Sequence, residues 1–407
     1  MANQLLSPKI YANVGLKLLK NNLVFAKLTN SEFKDEFKKI GATVYVKRPP
    51  EFVIRNGPTA SPQDVVEGEV PVSINLQKGV DTKFSSTELT LTVDSLMADR
   101  ELNGAMAQIA QQIDSDLASQ VLQFPNWVGT PGTPISTAAA FFRAPQRLDE
   151  MSIPAVDRNA ALAPADVYAL AGSFVNLYAQ TTQAVDALTK AKIPILGNVT
   201  PYATQSVVSI TMGTRTNGTV SGAGQNVVYS ASVLSGNNYT QSLVVAGLGI
   251  AATVAAGEVF TLAGVFAVNP RTKAVLPYLM QFTVITAATA DGSGNATLTI
   301  ANPIIASGAF QNASAAPANA AVLTWLGAAG QTYNANAAFH KQAITLVSAK
   351  LIMPYTGECD YSTDPDTGIT LRYWRYSDGT NDVHNHRWDV LYGVANVDRR
   401  LGTRIGG

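Results

Sequence analysis

The chain has 407 residues, long enough to bury a sizeable core and more readily divided into two folded units than built as one. Its 29 basic and 29 acidic residues cancel, so net charge gives no general attraction to nucleic acid, anionic lipid or acidic substrates, and any DNA contact is local or shared among many copies. Only 14% of residues are charged against 46% hydrophobic, a balance that suits apolar surface covered by neighbouring subunits, and the single cysteine, Cys359, excludes an intrachain disulfide.

The first residues, MANQLLSPKIYANVGLKLLK, lack the unbroken apolar core of a secretory signal, and nowhere do about 18 apolar residues run together, so a cytoplasmic site of synthesis is expected. Ser7-Pro8 is a helix start, and Ile10, Val14 and Leu18 then recur at a four-residue spacing on one face of a short helix. After the charged stretch Glu32 to Lys39, alternation at Thr43 to Val46 and at Val70, Val72, Ile74 and Leu76 predicts two strands. Between them runs RPPEFVIRNGPTASPQDVVEGE, Arg48 to Glu69, far longer than the usual ~2 to 6 residue connection and therefore a segment used for contact or left disordered. Val80, Phe84, Leu89, Leu91 and Val93 continue the strand pattern. Leu102, Met106, Ile109, Ile113, Leu117 and Val121 then trace one face of a long helix from about 94 to 123.

Alanine-rich helices are predicted over about 136 to 151 and 164 to 178, and a third over Thr182 to Lys190. From about 204 to 334 the composition turns to Gly, Ala, Ser, Thr, Asn and Val, with short alternating runs and turns at Ser235-Gly236-Asn237-Asn238 and Asp291-Gly292-Ser293-Gly294. That stretch is expected to be a separate all-β barrel or sandwich inserted in a host domain. Helical character is expected to return at Asn336 to Lys341. Ile369, Leu371 and Tyr373 then alternate into a turn at Asp378-Gly379, and Trp388, Val390, Tyr392 and Val394 form the returning strand.

Chemistry-bearing motifs are few. His384-x-His386 has zinc spacing but no third ligand nearby, so exposed hairpin histidines are expected, and Asp364-Pro365-Asp366-Thr367-Gly368 lacks the remaining donors of a calcium loop and is expected to be a turn into the next strand. No glycine cluster carries a phosphate-cradle pattern, and three histidines without a Gly-x-Ser-x-Gly elbow leave nucleophilic catalysis unsupported. The run Arg372-Tyr373-Trp374-Arg375-Tyr376 could stack on nucleic-acid bases, but its residues alternate between faces and read better as a half-buried strand. In and beside the long excursion, Lys47, Arg48 and Arg55 stand with Glu51, Asp64, Glu67 and Glu69. Opposite charges on one protruding loop suit contact with a second copy of the chain, with a solvated loop as the plain alternative.

This order of N-terminal arm, extended loop, long helix and compact apical region resembles the tailed-phage major capsid proteins of the Hong Kong 97 fold. The segments AFHKQAITLVSAKLIMP (338 to 354) and GITLRYWRYSDGTNDVHNHRWDVLYGVANVDRRLGTRI (368 to 405), with Arg387, Asp389, Leu391, Tyr392 and Gly393, look like coat proteins of short-tailed phages. GEVFTLAGVFAVNPRTKAVLPYLMQFTV (257 to 284) looks like the inserted barrel of that family. The resemblance implies an α+β fold with an N-terminal arm (1-40), an extended β-hairpin loop with flanking strands (41-93) and a spine helix (94-123). It further implies an apical domain with returning peripheral strands (124-203 and 335-407) and an inserted all-β domain (204-334).

It also implies a shell subunit without catalytic role or cofactor, which forms hexamers and pentamers around packaged double-stranded DNA. Portal and scaffolding proteins, and a decoration protein, would be its partners, with assembly in the bacterial cytoplasm. Some relatives crosslink through a Lys and Asn isopeptide bond, for which Lys47, Lys78 and Lys83 are the donors to check, although non-covalent contacts are expected here. A tail or decoration protein and a cytoplasmic α/β enzyme stay open as rivals, which oligomeric state separates.

Overall fold

The computed structural model describes residues 8 to 31, 43 to 48, 50 to 55, 57 to 65, 68 to 91, 94 to 177, 193 to 229 and 239 to 406. The helix expected at Thr182 to Lys190 and the turn at Ser235 to Asn238 lie outside them. The chain divides into two compact units, one of Met1–Val44, Val72–Leu117 and Ile344–Ala395, the other of Tyr45–Pro71, Ala118–Ala343 and Asn396–Gly407.

In the first unit a helix spans Pro8–Asn22, but its buried side is Ala12, Gly15, Leu16 and Leu19, while Ile10 and Val14 are 43% and 40% exposed. Small residues, not the four-residue apolar row, mark its seat: a Cβ at Gly15 would come within 3.1 Å of Leu371, and Tyr11 stacks on Tyr373 with ring centroids 5.3 Å apart. The long helix runs Asp94–Ser119 and buries Leu102, Met106, Ile109, Ile113 and Leu117, the face its spacing foretold. The sheet takes Ile344–Ala349, Val383–Asn396, Thr370–Asp378 and Glu358–Thr363 in that order, and Leu76–Ser85 pairs antiparallel with Val383–Asn396.

The strand pattern expected at Leu89 and Leu91 is replaced by a helix over Ser86–Leu91, while Val93 lies outside the described residues. Ser85 and Glu88 explain why: Glu88 Oε2 accepts from Ser85 N (2.9 Å) and Ser85 Oγ accepts from Glu88 N (3.2 Å), a reciprocal capping box that outweighs the local alternation.

The second unit contains a five-stranded sheet ordered Asn126–Val128, Gly402–Ile405, Asn336–His340, Arg158–Leu162 and Val199–Ala203, with helices over Ala138–Glu150 and Pro164–Leu177. The stretch expected to be helical, Asn336–His340, is thus the middle strand, and all five of its residues are buried. A strand covered on both faces needs no alternation, and Ala337 and Ala338 keep it thin enough for close packing. Thr137 caps the helix after it by accepting from Ala140 N (3.1 Å).

Six strands close into a barrel in the order Val259–Val268, Val275–Val284, Ala296–Ala301, Thr240–Ala246, Gly218–Val220 and Val322–Trp325. Leu243, Val245, Phe260, Leu262, Phe282 and Leu298 fill its interior. Glu258, fully buried, accepts from Gly213 N (2.6 Å) and Ala255 N (2.8 Å), and it pairs with the buried Arg215 at 2.5 Å. Three closed contacts on one carboxylate leave the desolvated pair well satisfied.

Candidate intersubunit surfaces

The excursion between strands Thr43–Lys47 and Glu69–Ser73 is rooted by charge. Arg48 N donates to Gly68 O (2.7 Å), closing the base, while Arg48 Nε donates to Val397 O (2.9 Å) and the guanidinium lies 5.2 Å from the Tyr239 ring. Glu51 accepts from Arg400 and lies 3.8 Å from Lys273, and Arg400 in turn holds Asp398 at 2.9 Å. Burial alone would raise the Asp398 carboxyl, but Arg400 and Arg48 overcome it and carry it down to about 2. Arg48 and Glu51 are therefore spent on their own chain.

Beyond this root the loop is ordered by its own backbone. Gln63 spans it, its Oε1 accepting from Val53 N (2.9 Å) and its Nε2 donating to Val53 O (2.6 Å), and Arg55 donates to Thr59 O (3.0 Å) and to Gly57 O. The result holds apolar side chains outward: Phe52 is 53% exposed, Ile54 85% and Val65 64%. Sequence reasoning weighed only the charges here. The signal it passed over is Phe52-Val53-Ile54, three large apolar residues in a segment with no periodic face to bury them.

Of the remaining expected contact residues, Lys47 and Asp64 are exposed, Glu69 is half-buried at the start of its strand, and Glu67 lies outside the described residues. Lys78 is half-buried and Lys83 exposed on the strand Leu76–Ser85.

The other motifs are structural. His386 shares a hydrogen bond with the Tyr373 hydroxyl (3.2 Å) and His384 with Ser377 Oγ (2.8 Å); both are half-buried rather than exposed. Among the described residues no three metal-capable side chains gather. Asp364 accepts from Thr367 and pairs with Lys20 at 3.0 Å, so the Asp364 to Gly368 turn ties down the N-terminal helix. Arg372 and Tyr373 are buried, Arg372 against Asp389 at 2.5 Å, as a half-buried strand requires.

Three arginines near the C-terminus were not singled out in the sequence. Besides Arg400, Arg399 Nε donates to Gln123 Oε1 (2.9 Å). Arg404, fully buried, donates to Gly257 O (2.6 Å), Phe124 O (2.9 Å), Leu122 O and Thr283 Oγ1 (3.3 Å). With no carboxylate beside it among the described residues, burial pushes the Arg404 pKa down to about 9. The turn Gln120–Gln123, which ends the long helix, thus meets two cations at its negative pole.

A long helix, a strand-rich first unit, a mixed sheet with a closed barrel, and an ordered loop that presents apolar side chains define a Hong Kong 97-like capsid subunit. A solved chain from Mycobacterium phage Che8 is similar over 94% of this chain and 90% of that one, at 12% identity and a TM-score of 0.50. The capsid of cyanophage P-SCSP1u matches 95% of this chain and 88% of that chain (10% identity, TM-score 0.45). The CUS-3 coat protein I-domain matches 27% of this chain and 94% of its own length (24% identity, TM-score 0.20). No curated protein matches. A family profile described as P22 coat protein, gene protein 5, matches residues 7–407, and the chain belongs to that family. It is a major capsid protein that forms the shell of a tailed phage from copies of itself.

Proposed function

We propose that the subunit assembles as hexamers and pentamers, and that the Arg48 to Glu69 loop carries a principal contact by lying across a neighbouring copy. The observation that carries this reading is the division of labour within the loop. Arg48 and Glu51 root it, whereas Phe52, Ile54 and Val65 project outward from a backbone fixed by Gln63 and Arg55. A preordered apolar surface loses little conformational freedom on docking. Lys47, Arg55, Asp64 and Glu69 form the polar rim in this reading and set register more than affinity.

The subunit acts without catalysis, together with scaffolding and portal proteins and a decoration protein, and it assembles in the host cytoplasm. Balanced charge lets double-stranded DNA pack against the shell by weak, non-specific contact. The functional divisions are the arm (1-40), loop (41-93), spine helix (94-123), apical domain (124-203 and 335-407) and inserted domain (204-334). The test is Ile54→Asp, examined by sedimentation and negative-stain electron microscopy. The subunit should remain folded, because Ile54 is 85% exposed, while shells and capsomers diminish at least tenfold. Undiminished shells would remove the loop from the contact.

A further inference from the structure

A second apolar surface stands in the first unit, on the connection between strands Ile344–Ala349 and Glu358–Thr363. Ile352 is 83% exposed, Met353 52% and Tyr355 103%, three large apolar side chains within four positions. Chance exposure of single apolar residues is ordinary, but a contiguous group is a mark of interaction.

The connection is not loose. Tyr361 Oη donates to Leu351 O (2.7 Å), Arg372 Nη1 to Ile352 O (2.9 Å) and Trp374 Nε1 to Thr356 O (2.8 Å). Gly357 has φ +79°, and a Cβ there would stand 2.4 Å from Arg375 O, so the turn that ends the connection admits little else. Three carbonyls are thus held from beneath by side chains of the sheet, and the apolar groups above them are presented in one arrangement. Internal packing would have used such groups; fixed outward display suits docking, since the ordering cost is met during folding.

We infer that Ile352, Met353 and Tyr355 form a contact between copies of this chain, separate from the Arg48 to Glu69 loop. The inference rests on the shell reading and adds a surface to it. Charge favours a second copy as the occupant: the patch begins at exposed Lys350 and ends at Glu358, which pairs with Arg375 of its own chain at 2.6 Å yet keeps its side chain 58% exposed to a further cation. A copy related by rotation brings Lys350 of one against Glu358 of the other while the apolar groups meet between them.

Hydroxyl-radical footprinting tests this directly, because Met353 and Tyr355 both oxidise readily when exposed. In shells formed from the chain without other virion proteins, both residues should oxidise at least fivefold more slowly than in free subunits. Equal rates would overturn the contact and leave shell formation standing. Protection found only in complete virions would also overturn it, because the occupant would then be a different virion protein. The paired variant Ile352→Thr with Tyr355→Ser gives the second measurement: unchanged far-UV circular dichroism with at least a tenfold loss of shell yield is expected, and wild-type yield would refute the proposal.

Discussion

Arg404 offers the sharpest test of how the second unit is held together. Its guanidinium is fully buried, lies beside no carboxylate among the described residues, and donates to Leu122 O, Phe124 O, Gly257 O and Thr283 Oγ1. Two opposed terms decide what Arg404→Met does. Relief of the buried charge favours the variant, while loss of the donor leaves buried carbonyls unsatisfied. Phe124 O keeps the Thr283 hydroxyl (2.9 Å), so Leu122 O and Gly257 O are the acceptors most affected. At ~1–3 kcal/mol for each orphaned acceptor, the loss is about 2–6 kcal/mol before relief of desolvation. A charge already satisfied by several carbonyl dipoles returns only part of that, so a net cost of about 2–4 kcal/mol is expected. Arg404→Lys keeps the charge, but a single ammonium cannot serve acceptors spread across a planar fork, and its cost should fall between wild type and the Met variant. Urea denaturation of unassembled subunits, with equal m values, reads the order directly. If Arg404→Met is as stable as wild type, burial of the charge outweighs its hydrogen bonds, and the residue is not the clamp its geometry describes.

Glu258→Gln should cost about 3–5 kcal/mol, because it strands the buried Arg215, and adding Arg215→Met should recover most of that loss in a double-mutant cycle; additive losses would show that the pair is not coupled. Asp398 titrates near 2 in the folded chain against 3.8 as its ordinary value. The unfolded chain therefore holds more protons between those values, and stability falls as pH decreases. About 2 kcal/mol, fully present above pH ~4, should be lost by pH ~2, and Asp398→Asn should flatten that limb of an acid-denaturation curve. Shell contacts built on apolar side chains rather than exposed ion pairs should weaken little between 0.05 and 0.5 M salt, within about twofold in the dissociation midpoint; a tenfold change would assign the contacts to charge.

The long helix was legible because its apolar face repeats through Leu102, Met106, Ile109, Ile113 and Leu117, and a signal that long survives any local exception. The returning strands were legible for the same reason at period two, in Leu371 and Tyr373 and in Trp388, Val390 and Tyr392. Short elements failed where a stronger local rule competed. Ser85 and Glu88 turned an alternating stretch into a helix, and burial on both faces made a strand of the alanine-rich Asn336–His340. The N-terminal helix was found but turned to the wrong side, because Gly15 and Ala12 define a close seat that a hydrophobicity count overlooks.

The candidate contact loop was legible in position and not in chemistry, for a reason that extends to the whole chain. A composition with few charges invites the reading that charged residues belong to the surface and carry recognition. Arg48, Arg158, Arg215, Arg372, Arg399 and Arg404 are instead all buried, and so are Asp114, Glu258, Asp364, Asp389 and Asp398. Many of these groups hold segments distant in sequence: Arg48 to Val397, Lys20 to Asp364, Asp114 to Val24 and Ala26, and Arg404 to Leu122 and Gly257. Inside a protein such bonds are directional in a way apolar packing is not, so they fix the angle at which a loop or helix end leaves its unit. In the contacts proposed above, recognition falls to the exposed apolar side chains that those fixed segments carry, Phe52 and Ile54 on one loop and Ile352 and Tyr355 on another. A subunit that must make many weak, identical contacts gains from this arrangement: each contact is modest, and its geometry is set before the partner arrives.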